Sequence, residues 1–144
     1  MTKLEKEEIL DHEISELIIP SQKVAIVQEG NTLEHALLVL IKSGYSAIPV
    51  LDRDYKLKGL VSTTLILDSI LGLEKIEYDN LSAHKVEEVM DTKVARIMEN
   101  GIFFKALELS INHPFLCVVN EEGVFTGILT RKSILAIIHR HLKH

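Results

Sequence analysis

The stretch Thr130-Arg131-Lys132-Ser133 sets two cations between two hydroxyls, directly ahead of the helix-spaced residues Ile134, Leu135 and Ile138. The first N–H groups of a helix have no partner in the helix, and its dipole makes that end positive. Cations placed there oppose the dipole unless an anion sits with them, so the pattern suits phosphate better than a merely solvated first turn. Charge-assisted hydrogen bonds contribute about 1.5–3 kcal/mol each, enough to favour this turn as the phosphate position. A second set of residues has a different chemistry. Lys23-Val24-Ala25 couples a cation to a small side chain, and Tyr45-Ser46-Ala47 offers an aromatic face, a hydroxyl and another small residue. Pro49 fixes its own φ and holds Ile48 extended, which sets the direction of the nearby carbonyls.

Composition limits what these residues could serve. The 144 residues include 21 acidic and 16 basic side chains, a net charge of −5, which argues against a dedicated binder of long nucleic acids. A hydrophobic fraction of 47% is enough to offset chain entropy, so a folded domain is expected rather than disorder. The single cysteine, Cys117, excludes an internal disulfide and a multi-cysteine zinc site, and it fits a reducing, cytoplasmic setting. Its apolar neighbours suggest a small buried hydrophobe. The charged start from Met1 to Leu10 does not read as a signal peptide, and no apolar run approaches the ~18 residues of a membrane span. His139, His141 and His144 crowd the C-terminus, but residues two apart point to different helix faces, so a polar tail is expected and not a metal site. His12, between Asp11 and Glu13, reads as part of a solvated face. No phosphate loop with a lysine, nucleophile elbow or His-Glu-x-x-His is present, and no enzyme activity is expected.

The elements that must position these residues come from an internal repeat. At a shift of 70, Lys23-Val24-Ala25 falls on Lys93-Val94-Ala95, Ala36-Leu37 on Ala106-Leu107, and Ile41 on Ile111. Past Gly44 the shift becomes 68, and Val50 meets Val118, Gly59 meets Gly127, and Ile66-Leu67 meets Ile134-Leu135. Copy one reads as strand Val24–Gln28, a helix capped by Asn31 with Glu34 and ended by Gly44, strands Ala47–Leu51 and Leu57–Val61, and a helix over Thr64–Leu71. Copy two reads as strand Val94–Met98, helix Ile102–Ile111, strands Leu116–Val119 and Val124–Leu129, and helix Lys132–His141. The class is α+β, with β-α-β-β-α twice. Residues 74–85 read as a linker. Helical lead-ins precede each copy, over 4–19 with Leu10, Ile14, Leu17 and Ile18 on one face, and over 86–90. Each half leaves apolar faces uncovered, so the two are expected to pack about a pseudo-twofold axis.

The pattern resembles a tandem pair of CBS motifs, over residues 13–73 and 86–142. The resemblance rests on Gly44 through Asp52 and Gly59-Leu60-Val61-Ser62, and on Cys117-Val118-Val119-Asn120 and Gly127 through Arg131, in order and twice. Lys23-Val24-Ala25, Asn31 through Leu40, Gly44-Tyr45 and Phe125 through Arg131 are similar to the small stand-alone CBS proteins of the DarB/CbpB type, which are bacterial receptors for cyclic di-AMP. The resemblance implies a disc-like homodimer, a non-enzymatic nucleotide receptor, and a switch in contacts with a partner such as the (p)ppGpp synthetase/hydrolase or pyruvate carboxylase.

It also implies where a ligand would lie, in clefts between the copies. Each cleft is lined by the start of the first strand, the second strand, and the turn into the last helix. On that basis Lys23, Val24, Ala25, Tyr45, Ser46, Ala47 and Pro49 would hold the base, and Thr130, Arg131 and Lys132 the phosphate. No metal or further cofactor is expected. CBS motifs that bind AMP or ATP commonly carry Gly-x-x-Thr/Ser-x-x-Asp, with the carboxylate on the ribose diol. That position is Leu65 in copy one and Ser133 in copy two. A cyclic dinucleotide has its 3′ oxygen esterified and loses less by this absence. A sensor of AMP or ATP, and a scaffold that binds no ligand, remain the alternatives.

Overall fold

The computed structural model describes residues 2–11 and 13–143, so His12 and His144 lie outside the described residues. The chain divides into two units: a contiguous one, Ala25–Val94, and a split one made of Met1–Val24 with Ala95–His144. No described helix is long and apolar enough to cross a membrane.

In the contiguous unit, β2 (Val27–Gln28) leads to α2 (Leu33–Ser43), then β3 (Ala47–Leu51), β4 (Leu57–Ser62), α3 (Thr63–Ile70) and the short α4 (Asn80–Ala83). The sheet order is β2-β3-β4, with β2 parallel and β4 antiparallel to β3. Leu57, Gly59 and Val61 of β4 are buried, and Val61 shares one core with Leu33, Ala36 and Leu40 of α2. Ile66 of α3 and Val86 close that core. Burying an aliphatic side chain of this size contributes about 1.5–3 kcal/mol.

The split unit repeats the scheme with β5 (Arg96–Met98), α5 (Phe103–Ser110), β6 (Phe115–Val119), β7 (Phe125–Thr130) and α6 (Arg131–Leu142). To these it adds α1 (Lys3–Leu10) and β1 (Ile19–Pro20), giving the sheet order β1-β7-β6-β5. Ile14, Phe103, Leu116, Leu129 and Ile134 are buried at its centre.

Several boundaries differ from the sequence reading, each for a local reason. The first strand of each copy is short, because only Val27–Gln28 and Arg96–Met98 find ladder partners. The cap of α2 is Thr32, whose side-chain oxygen accepts from His35 N at 3.1 Å; the Asn31 side chain instead accepts from Gln28 N at 2.8 Å. Both residue types cap well, and the turn into the helix decides between them. Gly44 ends α2 as expected, with φ of 78° and its N–H on the Leu40 carbonyl. The lead-in over 4–19 is not one helix. It breaks after Leu10, passes through a single 3₁₀ turn at Ser15–Leu17 and becomes β1 at Ile19. Its apolar residues reach the core all the same.

The stretch 74–85 contains α4 and belongs to the contiguous unit, with Leu81 packed on its core. Each lead-in serves the copy that it does not precede. Ile19 and Pro20 pair with Ile128 and Gly127 at the edge of β7, while Asp91 exchanges both backbone hydrogen bonds with Leu60 of β4, at 2.8 and 2.9 Å. Glycine stands at both contacts. A Cβ on Gly59 would lie 2.8 Å from the Asp91 carbonyl, and one on Gly127 would collide with the Ile19 carbonyl.

Candidate functional site

The ten candidate residues divide between the units: Ala25, Tyr45, Ser46, Ala47 and Pro49 in the contiguous one, Lys23, Val24, Thr130, Arg131 and Lys132 in the split one.

In the contiguous unit the fold brings its five together at the N-terminal end of β3. Gly44 turns the chain out of α2, and Tyr45 and Ser46 follow, both exposed, with 44% of the tyrosine open to solvent. The Ser46 carbonyl accepts from Thr63 N at 3.1 Å, and Ala47 stands opposite Ser62, so this segment lies against the head of α3. Ser62 caps that helix by accepting from Leu65 N. Ala25 is half-buried just ahead of β2, and the register of Val27 with Val50 sets it beside the start of β3. Pro49 is buried on the central strand, not on an edge. It is tolerated there because the paired part of β2 reaches only Val50 and Leu51, so position 49 lies just ahead of the ladder.

In the split unit the basic turn has an architecture that the sequence did not reveal. Thr130 caps α6, with Oγ1 accepting from Ser133 N at 3.1 Å and lying 2.9 Å from Ser133 Oγ. Arg131 N donates to the Pro114 carbonyl at 2.9 Å, the counterpart of the Thr63–Ser46 bond. Arg131 Nε donates to the Ser110 carbonyl at 2.8 Å. Ser110 is the last residue of α5, so the guanidinium meets the negative end of one helix while opposing the positive end of its own. That contact supplies a structural role for Arg131 beside any ligand role. It holds the side chain by Nε, and the two remaining nitrogens have no partner among the described residues. Lys132 is exposed, and no described carboxylate forms an ion pair with either cation.

Lys23 is exposed at the end of a 3₁₀ turn, Ser21–Lys23, that Val24 closes by donating to the Ser21 carbonyl at 3.1 Å. That turn follows Pro20, which stands opposite Gly127, whereas Thr130 is at the far end of β7. Sequence reasoning missed Ser110 as the residue that holds Arg131. The two are 21 positions apart, and only the packing of α5 beside α6 joins them.

Cys117 is buried on β6, its N–H on the Ala95 carbonyl at 3.0 Å, and burial pushes its thiol up to about 12. The native protein at pH 8 is therefore expected to react with a thiol reagent far more slowly than the urea-unfolded chain. The folded thiol keeps a proton that the unfolded one releases, so stability should also fall as pH rises from about 9 toward 12. Urea midpoints at two alkaline pH values should show a steeper fall in the native sequence than in Cys117→Ala. Equal slopes would contradict the assignment.

Comparison with known proteins adds to this geometry. Residues 14–72 and 86–140 each match the CBS domain. Over 143 residues the chain is 46% identical to the cyclic di-AMP receptor B of Bacillus subtilis strain 168, covering 99% of this chain and 97% of that protein. A solved CBS domain-containing protein of Bacillus anthracis is similar with a TM-score of 0.86 at 56% identity, covering 94% of this chain and 98% of that one. The CbpB protein of Listeria monocytogenes, solved in complex with c-di-AMP, is similar with a TM-score of 0.84 at 46% identity, covering 92% and 98%.

Proposed function

Because this chain belongs to the CBS domain family and carries the motif in tandem, we propose that it is a receptor for cyclic di-AMP that changes its contacts with a partner enzyme on binding the nucleotide. The observation that carries this reading is the 46% identity to a cyclic di-AMP receptor across nearly the full length of both chains. Leu65 and Ser133 support it: neither copy has the carboxylate with which a ribose diol would be held. The ligand is regulatory, with no turnover, cofactor or metal, and the setting is cytoplasmic. Lys23, Ala25, Tyr45 and Ala47 receive the base, and Thr130, Arg131 and Lys132 the phosphates. The receptor acts as a homodimer. Ile41 of α2 and Ile111, just past α5, fall at matched repeat positions, are 65% and 71% exposed, and suit contact with a second copy. The (p)ppGpp synthetase/hydrolase and pyruvate carboxylase are the partner enzymes to test first. Linkage requires that the nucleotide shift partner affinity only as far as the two favour different states.

Calorimetry with cyclic di-AMP, AMP, ATP and S-adenosylmethionine tests the reading. Saturable binding of cyclic di-AMP with a Kd of about 1 μM or tighter is expected, and no comparable heat from the others. Saturable AMP binding with none of the dinucleotide would replace it with an adenylate sensor. Partner capture indifferent to every nucleotide would leave a scaffold.

A further inference from the structure

Resting on the receptor reading above, we infer that Pro49 selects for an amino-bearing base by leaving the Ala25 carbonyl without an N–H partner, while Cys117 closes the matching carbonyl in the other copy. The two parallel ladders share the rung just past each first strand. Glu99 N donates to the Val119 carbonyl at 2.9 Å, and Glu29 N donates to the Leu51 carbonyl at 3.0 Å. One rung differs. Cys117 N donates to the Ala95 carbonyl at 3.0 Å; the repeat puts Pro49 at the position of Cys117 and Ala25 at that of Ala95. Proline has no N–H to give.

The geometry of β3 confirms which group is missing. The Leu51 carbonyl faces β2, and backbone groups two residues apart on a strand face the same way. Position 49 therefore also faces β2. No other donor reaches the Ala25 carbonyl among the described residues. A half-buried acceptor of this kind is satisfied by water or by a bound molecule.

The open carbonyl lies beside Tyr45, Ser46 and Ala47, where the base is assigned. Adenine presents its exocyclic amine as a donor, whereas hypoxanthine presents a carbonyl at the same place and would set acceptor against acceptor. A site built to pair such a group rejects the analogue that lacks it. The Ala95 carbonyl is already taken, so each chain reads the amine at one copy and not at its twin.

The test compares cyclic di-AMP with its di-inosine analogue by calorimetry on the full chain, in the native sequence and in Pro49→Ala and Pro49→Cys. The native protein should prefer the adenine compound by roughly tenfold or more. Both variants should bind cyclic di-AMP roughly tenfold more weakly and lose most of that preference, because the new N–H competes for the carbonyl. Without ligand, the amide of residue 49 in each variant should be protected from hydrogen exchange by its bond to Ala25. Free exchange at that amide, or an unchanged preference in variants that still bind, overturns the assignment to Pro49 alone. A native protein that binds neither dinucleotide overturns the receptor reading, and this inference with it.

Discussion

Arg131→Ala should weaken cyclic di-AMP binding by about 10- to 150-fold, the range set by losing one charge-assisted contact of 1.5–3 kcal/mol. The same change removes the Nε donor from the Ser110 carbonyl, whose residue is 4% exposed. A lost partner for such a group costs about 1–3 kcal/mol of folding stability. The two effects are separable, since affinity is read by calorimetry and stability by urea denaturation of the free protein. Arg131→Lys sharpens the division, because it keeps the charge but cannot hold Ser110 and a phosphate at once through a planar fork. It should recover part of the affinity and little of the stability. If Arg131→Ala lowered the midpoint yet left the dissociation constant unchanged, the residue would be a strut between α5 and α6 and nothing more.

The largest effect on folding is expected at Gly127. A valine there would drive Cβ into the Ile19 carbonyl and to 2.7 Å from Ile18 Cγ2, and backbone cannot yield as a flexible side chain can. The cheapest response is for β1 to leave β7. That would loosen Ile18 and Leu17, which pack on the core, and the fully buried Ile14 just ahead of them. Overpacking together with lost burial should cost about 3–5 kcal/mol. Gly30→Ala is the matched control, because a Cβ there meets nothing within 4 Å. It should stay within about 0.5 kcal/mol of the native midpoint. A Gly127→Val protein that unfolds with the native midpoint would show that β1 does not stabilise the unit.

What the sequence made legible follows from short-range physics. The span of β3 was read to the residue, because its apolar run is bounded by Gly44-Tyr45-Ser46 and the turn after Leu51. That turn and its repeat use the same device. Asp52 Oδ1 accepts from Asp54 N and Lys56 N, and Asn120 Oδ1 accepts from Glu122 N and Val124 N. The copies part at one position, where Gly123 takes a left-handed φ of 82° and Tyr55 takes 64° without glycine's freedom. The limits were equally physical. Asn31 and Thr32 cap almost equally well, so only the path of the turn could choose Thr32. Periodicity found the apolar face of residues 10–18 but could not say which copy it covers, since that is a long-range contact. The same holds for Arg131, whose residue type drew attention to it while Ser110, its partner, gave no signal.

The exchange of lead-ins has a consequence for the order in which the chain can fold as it is made. The unit Ala25–Val94 has all its segments in hand once residue 94 has been added. The other must bring Ile19 and Pro20 to a strand that begins at Phe125. At roughly 5–20 residues per second, that partner appears several seconds after Ile19. Through that interval Ile14, Leu17 and Ile18 have been synthesised but not the β7 and α6 residues of their core, so the middle of this protein can be folded while its beginning still waits for its end.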